Sequence, residues 1–383
     1  MGVVRLDAGS RLMRAWVEID LDALWRNATR VKSEVGRDVD IIAVVKADAY
    51  GHGLKEVTET LDPGPIDQFA VVSLEEARNV RRVSNKPVLI MGYLDTKEIV
   101  DAIEEGFVLS MFDKELIALY ERFAARLNCQ AKVQLKVETG LNRLGMSPED
   151  AVNFITNQHL FPHIKMEAAF SHLYKATSTD DCQKQLRILQ ELIMDVGDKA
   201  PVFPMHLVSS YGLGHFKAGY LDAVRVGLAL YGVDQVLPDL EPIFQCKSVV
   251  MEVHPVAKGE GVSYNHLFTA SQDLMVAIAP IGYAEGLSVA YAGNMTVLIQ
   301  GIERPVIGQI CMNHVIIDVT GLDVHRGEEV VIIGTQKDKT GETNQIRVAD
   351  LAKRCSLRHH EIVTRLGSNL PRLYSSGNKP LAR

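Results

Sequence analysis

The sequence predicts an α/β protein in which a (β/α)8 barrel of the TIM type is followed by a mainly β C-terminal domain. Over the first two thirds of the chain, short apolar runs rich in β-branched residues alternate with longer segments of helical periodicity, as in repeated βα units around a parallel sheet. After Pro242 helical spacing almost disappears, and strand-like runs follow one another between turn signals. The 383 residues, 47% of them hydrophobic, are enough for a barrel of roughly 230 residues and a smaller second core.

Eight barrel strands are predicted, at residues 41–46, 68–73, 87–91, 107–111, 132–138, 165–171, 204–209 and 223–227. Helix starts between them are marked by Ser73 ahead of two glutamates, Ser147 ahead of a proline, and Thr179 ahead of two aspartates. A further short strand is expected at residues 14–19, before the first barrel helix. We assign residues 13–242 to the barrel, and residues 243–383 together with residues 1–12 to the β domain.

Composition and charge argue against several classes of function. The net charge of -7 is opposite to that of a nucleic-acid-binding surface. The best apolar run, at residues 274–284, is shorter than the roughly 18 residues of a membrane span. The five cysteines are widely spaced without a C-x-x-C pair, which predicts neither a disulfide framework nor a metal site. The first residues lack the apolar region of a secretion signal, so we expect a cytoplasmic protein.

A lysine at the end of the first barrel strand is the strongest candidate for a reactive group. Active sites of such barrels lie at the carboxyl ends of the strands, and Lys46 ends its strand within AVVKADAYGHG. Burial there lowers the pKa of an amine toward that of a nucleophile or base. Tyr50 follows four residues later, on the same side of a helical turn. An isolated lysine at a strand end more often extends to solvent. The residues at the other strand ends therefore decide whether Lys46 is a reactive group.

Those strand ends carry cationic side chains and residues able to bind an anion. Taken singly, each also suits an ordinary loop, a packed histidine or a helix cap. Together they place a lysine, a histidine, arginines and a phosphate-binding group on one face of the barrel, as a lysine-anchored phosphorylated cofactor requires. The residues concerned are Lys136, Arg143, His172, Ser210, Arg225, Gly227 and Leu228.

Eight segments stand in order along nearly the whole chain: AVVKADAYGHG, KVETGLNRLG, FSH, HLVSS, RVGLALYG, GVSYN, IGYAEG and GQICMN. The segment around Lys46 is the most specific of them. In sequence and in order, these segments closely resemble those of the alanine racemase family.

The resemblance implies a homodimeric enzyme that uses pyridoxal 5′-phosphate to interconvert L- and D-alanine and so supplies D-alanine for peptidoglycan. Lys46 would bind the cofactor through a Schiff base and act as the base on one face of the substrate. Tyr264, reaching in from the partner subunit, would act on the other face. Arg225 would hydrogen-bond the pyridine nitrogen, and an arginine keeps its proton, so the ring withdraws electrons weakly and side reactions are limited.

The resemblance also implies roles for the remaining candidates. Tyr50, Ser210, Gly227 and Leu228 match the phosphate contacts. His172 matches a neighbour of the cofactor ring that is linked to Arg225, and Arg143 matches a residue near the cofactor oxygen and the substrate carboxylate. Met312 and Tyr283 match substrate-binding positions. Lys136 matches a position that carries a carbamate in some members.

Several positions around the expected entrance depart from the family pattern. Gln309 and Asn313 stand where the family usually has Arg and Asp, and Ser368 stands where it usually has Tyr. Val289 replaces a frequent Arg, and Lys175 replaces a small residue. These differences predict altered access or a pocket enlarged at Ser368. Alanine remains the expected substrate, and serine or a broader set of amino acids is the alternative.

Two other kinds of protein stay open as alternatives. A pyridoxal-dependent decarboxylase would place Glu instead of Arg225 at the pyridine nitrogen, and a metal-dependent aldolase would need a spaced His/Cys pair. The pair at His359 and His360 is expected in a surface loop. The alternative from a different class is a non-catalytic pyridoxal phosphate-binding protein. Such proteins are typically a lone barrel, so the β domain containing Tyr264 argues against it.

Overall fold

The chain folds into two units, each described here by itself. The computed structural model describes residues 13–199, 202–234, 236–377 and 379–381. One unit spans Ala23–Pro242, and the other combines the described residues up to Asp22 with those from Ile243 onward.

The first strand, β1 (Ala15–Asp20), belongs to the second unit. It pairs antiparallel with residues 244–248 and parallel with residues 372–375. Alternate side chains, those of Ala15, Val17 and Ile19, are fully buried. The barrel unit therefore begins after Asp22 and not at residue 13, because this amphipathic strand finds its partners in the β unit. The expected place of residues 1–12 in the β domain lies outside the described residues.

The barrel unit contains eight parallel strands that close in chain order, as the sequence predicts. The last strand pairs with the first, with Ile42 beside Arg225. All eight coincide with the predicted strands to within three residues at either end. They are β2 (Asp40–Val44), β3 (Gln68–Val71), β4 (Val88–Ile90), β5 (Val108–Met111), β6 (Ala131–Lys136), β7 (Ile164–Phe170), β8 (Met205–Ser209) and β9 (Ala223–Val226).

One helix precedes the first barrel strand, further helical segments follow the strands, and two of them start at the predicted caps. Ser73 and Ser147 each accept a hydrogen bond from the third main-chain N–H of their helix. For the helix predicted to start at Thr179, the cap is the preceding Ser178. The segments are α1 (Leu21–Val35), α2 (Lys46–Tyr50), α3 (Leu54–Leu61), α4 (Leu74–Arg81), α5 (Thr96–Glu104), α6 (Lys114–Leu127), α7 (Pro148–Thr156), α8 (Thr179–Val196) and α9 (Leu228–Tyr231).

The second unit is mainly β, again as predicted. Its principal sheet has 11 strands in the order β11-β14-β17-β16-β15-β18-β10-β1-β20-β21, with β19 paired to β18, and β12 and β13 form a separate pair. One apolar run after Pro242, at residues 246–254, is divided between two strands, β10 and β11. The strands are β10 (Phe244–Val249), β11 (Glu252–Val256), β12 (Gly261–Val262), β13 (Phe268–Thr269), β14 (Leu274–Ala279), β15 (Thr296–Ile299), β16 (Ile302–Ile307), β17 (Val315–Asp318), β18 (Glu329–Lys337), β19 (Thr343–Ile346), β20 (Arg372–Ser376) and β21 (Lys379–Leu381).

Two helices near the end of this unit correct the sequence prediction. They are α10 (Val348–Cys355) and α11 (His359–Asn369). His359 and His360 form the first turn of α11, so their assignment to a surface loop is wrong. The helix is stabilised by Ile362, Val363 and Leu366, which share one face and are buried. None of the helices in the described part of the chain has the length and apolar character needed to cross a membrane.

Candidate active site

Lys46 lies just beyond the carboxyl end of β2, at the start of a left-handed turn. The next four residues, Ala47 to Tyr50, have φ between 52° and 57°, a conformation that costs an L-residue roughly 1–2 kcal/mol. Lys46 is half-buried. Burial and then the charge of Arg143 lower the pKa of its amine, whereas the charge of Glu76 raises it. The amine therefore loses its proton more readily than that of an exposed lysine, as a nucleophile or base requires.

Two acidic side chains bind the main chain of this turn. The Glu76 carboxylate accepts hydrogen bonds from the N–H groups of Ala47 (2.6 Å) and Asp48 (3.4 Å). The Asp48 carboxylate accepts one from the N–H of Leu54 (2.7 Å). These bonds offset part of the conformational cost of the turn that carries Lys46.

Arg225, on β9, is buried and held largely by main-chain groups. Its guanidinium donates to the carbonyl oxygens of Ser171, His206 (3.2 Å) and Leu207 (3.1 Å), and to Nδ1 of His206. One of its nitrogens also lies 3.3 Å from Nδ1 of His172. Burial lowers the pKa of Arg225 to about 9, which leaves the group charged at neutral pH. The structure thus fixes both the charge and the orientation of this guanidinium.

A buried hydrogen-bond chain sets the tautomer of His206. Nε2 of Gln134 donates to Oε1 of Gln68 (3.1 Å), which leaves Oε1 of Gln134 as an acceptor. Nε2 of His206 lies 3.0 Å from that oxygen and therefore carries the ring proton. Nδ1 is then the acceptor for Arg225. Burial and the charge of Arg225 hold the pKa of His206 well below its usual range, so the ring is neutral.

Three further candidates lie beside these groups. Lys136, at the end of β6, is buried, and its pKa is lowered to about 8 by burial and by Arg143 and Arg225. Burial and the same two arginines lower the pKa of His172 to about 3, so this ring is neutral. Arg143 is exposed on the loop after β6. The mutual influence of these charges shows that the structure brings Lys46, Lys136, Arg143, His172 and Arg225 together.

The predicted phosphate-binding residues form a second group at the same strand ends. Oγ of the buried Ser210 accepts hydrogen bonds from the N–H groups of Gly227 (3.1 Å) and Ala229 (3.2 Å). A Cβ on Gly227 would lie 2.9 Å from Oη of Tyr50, so a larger residue here would displace this hydroxyl. Burial raises the pKa of Tyr50 to about 12, which keeps the hydroxyl protonated and able to donate. Leu228 is the first residue of α9 and follows Gly227 directly.

The candidates of the β unit lie on neighbouring loops and are exposed within the chain. Main-chain hydrogen bonds join the segment beginning at Tyr283 to the segment containing Met312. Ser263, the residue before Tyr264, donates to the carbonyl oxygen of Gln309 (3.2 Å). The side chains of Tyr264, Tyr283 and Met312 are 64%, 45% and 54% exposed. The structure therefore places these three candidates on connected loops, with aromatic and apolar surface facing solvent.

Glu285 provides a buried negative charge beside these loops. Its Oε1 accepts hydrogen bonds from Arg14 (2.8 Å) and from the side-chain amide of Asn313 (2.9 Å), and its Oε2 accepts one from the N–H of Gly282 (2.9 Å). An aspartate at position 313 would bring a second carboxylate against Glu285. The amide of Asn313 avoids this repulsion, which accounts physically for one departure from the family pattern.

Three of the other departures lie at surface positions, and Gln309 is half-buried. Val289 is exposed, and Lys175 forms an ion pair with Asp181 (3.7 Å). Ser368 is exposed in the last turn of α11. An enlarged pocket at Ser368 stays a prediction.

Comparison with known proteins assigns the family. The family model described as "Alanine racemase, N-terminal domain" matches residues 19–235, and that described as "Alanine racemase, C-terminal domain" matches residues 243–374. The chain belongs to the alanine racemase family. "Alanine racemase 2" of Caldanaerobacter subterraneus subsp. tengcongensis is 31% identical over 370 residues, covering 94% of each chain.

Solved structures of alanine racemases have the same fold as this family member. The alanine racemase of Clostridium difficile 630 superposes with a TM-score of 0.88 at 27% identity, covering 97% of this chain and 98% of the other. The alanine racemase of Bartonella henselae with covalently bound pyridoxal phosphate gives a TM-score of 0.85 at 25% identity, covering 94% and 99%.

Sequence reasoning missed three residues that support the site in this alanine racemase family member. Glu76 was noted only as part of a helix start, whereas it contacts the main chain beyond Lys46. Gln68 and Gln134 lie within apolar strands, and a buried amide in such a strand requires a hydrogen-bonding partner. That requirement was the one available signal, although it does not identify the partner.

Proposed function

We propose that this chain interconverts L- and D-alanine, with Lys46 and Tyr264 as the two acid–base groups and pyridoxal 5′-phosphate as cofactor. The observation that carries the proposal is the set of groups at the barrel strand ends. It combines an amine of lowered pKa on Lys46, a fixed guanidinium on Arg225, and hydroxyl and main-chain donors at Tyr50, Ser210 and Gly227.

The residues present fit the cofactor. The N–H groups of Gly227 and Ala229 donate to Oγ of Ser210, and a phosphate bound here would take the place of that acceptor, with the Tyr50 hydroxyl as a further donor. Lys46 provides an amine for covalent attachment, and Arg225 provides a donor for the pyridine nitrogen. When bound, pyridoxal phosphate supplies a conjugated ring that stabilises the negative charge left after an α-proton is removed.

Lys46 and Arg225 have complementary tasks in this proposal. The lowered pKa of Lys46 makes its neutral amine accessible, and that amine removes or returns the α-proton on one face of the substrate. Arg225 is charged at neutral pH and cannot pass its proton on, so it donates a hydrogen bond and leaves the ring weakly electron-withdrawing. Removal of the α-proton is then followed quickly by its return, which favours racemisation over transamination or decarboxylation.

Tyr264 is proposed to act on the opposite face, from a partner subunit. Its exposure within one chain, together with that of Tyr283 and Met312, suits surface that a second copy covers. We propose a homodimer in which each barrel receives the partner's Tyr264. Mixing Lys46→Ala chains with Tyr264→Phe chains should restore activity through one intact site per heterodimer. Isolated heterodimers without activity would contradict the shared site.

Substrate recognition is assigned to Arg143, Met312 and Tyr283. The positive charge of Arg143 suits a carboxylate, and Met312 and Tyr283 lie on the connected loops of the β unit. Alanine is the proposed substrate, while serine or a broader set is the alternative suggested by Gln309 and the other departures. Racemisation of a panel of L- and D-amino acids by one preparation distinguishes them: a higher kcat/KM for serine than for alanine would overturn the assignment.

Lys136 is proposed as a site of carbamylation. Its pKa of about 8 leaves about a tenth of the amine neutral at pH 7, and Arg143 and Arg225 would stabilise the negative charge gained. The amine nitrogen bonds to the carbon of CO2, and one proton is released. Carbon-13 NMR with labelled bicarbonate should show a carbamate signal that Lys136→Ala removes.

A non-catalytic pyridoxal phosphate-binding protein is the competing function. The β unit with Tyr264 argues against it, because cofactor binding alone needs only the groups of the barrel.

We further propose a cytoplasmic enzyme that supplies D-alanine for peptidoglycan. Complementation of a D-alanine auxotroph in growth medium without D-alanine tests that role, and failure by an active enzyme would overturn it.

Covalent attachment gives the most direct test of the proposed site. Borohydride reduction of the cofactor-loaded protein, followed by peptide mapping, should place the added mass on Lys46. The Lys46→Ala variant should take up no label while keeping its folded circular dichroism spectrum. A label on another lysine would overturn the assignment of the anchor.

A further inference from the structure

We propose that Glu76 is a positioning residue for Lys46, because its carboxylate joins the left-handed turn after Lys46 to the start of α4. The proposal rests on the proposed role of Lys46 as the cofactor anchor, and it assigns a function to a residue on a different βα unit. Glu76 itself touches neither substrate nor cofactor in this proposal.

Both carboxylate oxygens of Glu76 take part in this connection. Oε1 accepts hydrogen bonds from the N–H groups of Ala47 (2.6 Å) and Asp48 (3.4 Å), just beyond β2. Oε2 accepts one from the N–H of Val72 (3.0 Å), just beyond β3. One side chain therefore links the carboxyl ends of two adjacent parallel strands. This link adds to the main-chain bond from Val45 N–H to the carbonyl oxygen of residue 70 (2.9 Å).

The turn needs such a link because its conformation is costly. Ala47, Asp48, Ala49 and Tyr50 all occupy the left-handed region without a glycine among them. Ala47 is adjacent to Lys46, so rotation of its peptide group would redirect the Lys46 side chain. A displacement of about 1 Å is enough to reduce a reaction rate roughly a hundredfold when reacting groups must be aligned.

Glu76 also contributes charge where Lys46 acts. The charge of Arg143 lowers the pKa of the Lys46 amine and the charge of Glu76 raises it, while the charge of Lys46 in turn lowers the pKa of Lys136. Removing the Glu76 charge leaves the influence of Arg143 unopposed. A variant of Glu76 should therefore change the titration of Lys46 in addition to its position, which a purely structural contact elsewhere on α4 would not do.

The experiment compares Glu76→Ala and Glu76→Gln with two matched controls. Ser73→Ala removes the cap bond to the N–H of Glu76 (3.2 Å) at the same helix start but leaves the bond to Ala47. Glu75→Gln removes one charge from the exposed neighbouring position. Each apoprotein is titrated with pyridoxal phosphate, and the visible absorption band of each loaded protein is followed against pH. Thermal unfolding of every apoprotein identifies variants that fail to fold.

We expect Glu76→Ala to weaken cofactor binding about tenfold or more, because a charge-assisted hydrogen bond is lost. The pH midpoint of the absorption band should move lower, and kcat should fall with little change in KM. Glu76→Gln keeps one acceptor oxygen and should fall between Glu76→Ala and the native protein. Both controls should bind the cofactor within about twofold of the native protein.

A second substitution tests whether the hydrogen bond from the Ala47 N–H to Glu76 accounts for the change in cofactor affinity. Ala47→Gly in the Glu76→Ala background should recover part of the cofactor affinity, because glycine adopts the left-handed conformation without steric cost. No recovery, native binding and titration in Glu76→Ala, or an equal loss in Ser73→Ala would each overturn the proposal. Failure of the proposed function is distinguishable, since borohydride labelling of the native protein would then map away from Lys46.

Discussion

The two units differ in how they hold their candidate residues. In the barrel unit, Arg225, Lys136 and Ser210 are buried, and a network of main-chain and side-chain bonds fixes the guanidinium of Arg225 before any ligand arrives. In the β unit, Tyr264 and Met312 are more than half exposed. The barrel thus buries its charged groups within its own fold, whereas the β unit presents exposed side chains that the proposed homodimer would cover. Substitutions in the barrel should therefore affect folding and chemistry together, and those at Tyr264 should affect chemistry alone.

Tyr264→Phe should give the largest separation between activity and stability. Loss of a positioned acid–base group lowers turnover by roughly a hundredfold or more. Removal of α-deuterium from one alanine enantiomer should slow more than removal from the other, because Tyr264 is proposed to serve one face. The free energy of unfolding of the apoprotein should change by less than about 0.5 kcal/mol, because Tyr264 is exposed within its own chain and phenylalanine keeps the aromatic ring that a second copy would cover. Equal exchange rates for both enantiomers at native turnover would exclude Tyr264 from the mechanism.

Arg225→Lys, unlike Tyr264→Phe, should lower the stability of the protein. A single ammonium group cannot reproduce the bonds to Ser171, His206 and Leu207, so buried acceptors lose their donors. We expect a loss of about 2–4 kcal/mol in the free energy of unfolding, measured by urea denaturation. Arg143→Lys is the matched control on an exposed arginine and should change the value by less than about 0.5 kcal/mol. Equal effects of the two substitutions would contradict the difference in burial that the comparison rests on.

The buried Lys136 should make the free energy of unfolding depend on pH. Its folded pKa of about 8 lies below the ordinary value of 10.5, so between these pH values the unfolded chain binds a proton that the folded chain does not. Stability should therefore rise with pH across this window by roughly 1–3 kcal/mol more in the native protein than in Lys136→Met. Urea denaturation in CO2-free buffer measures the difference, with the exposed Lys165→Met as control. Parallel pH profiles for the native protein and Lys136→Met would contradict the lowered pKa.

Local sequence patterns predicted some features of the two units, whereas features that depend on contacts between distant residues could not be predicted. The barrel strands were predictable because each is a short apolar run, and Lys46 and Arg225 were identifiable because they stand at strand ends. The partners of β1 were not, since alternating burial of Ala15 and Val17 predicts an amphipathic strand without naming its neighbours. The helix α11 was missed because its buried apolar residues, Ile362, Val363 and Leu366, span little more than one helical turn, which is too short to establish a helical period.

The supporting contacts of the site depended on the fold itself. The bond from Ala47 to Glu76 joins residues 29 apart, and that from Gln134 to Gln68 joins residues 66 apart. No local pattern connects such positions in a single sequence. The residues that bear the proposed chemistry were therefore predictable, whereas those that orient them required the closed barrel.

Asn313→Asp should give the smallest effect and refine the description of the β unit. The substitution replaces an amide that donates to Glu285 with a carboxylate about 3 Å from a buried one, and Arg14 offsets only part of the repulsion. We expect a loss of about 1 kcal/mol in the free energy of unfolding, measured by urea denaturation. The double variant Asn313→Asp with Glu285→Gln reverses the donor and the acceptor and should recover part of the stability, because the amide at position 285 then faces the Arg14 donor. If Asn313→Asp is as stable as the native protein, Glu285 does not fix the segment containing Met312, and that loop is less ordered than the barrel site.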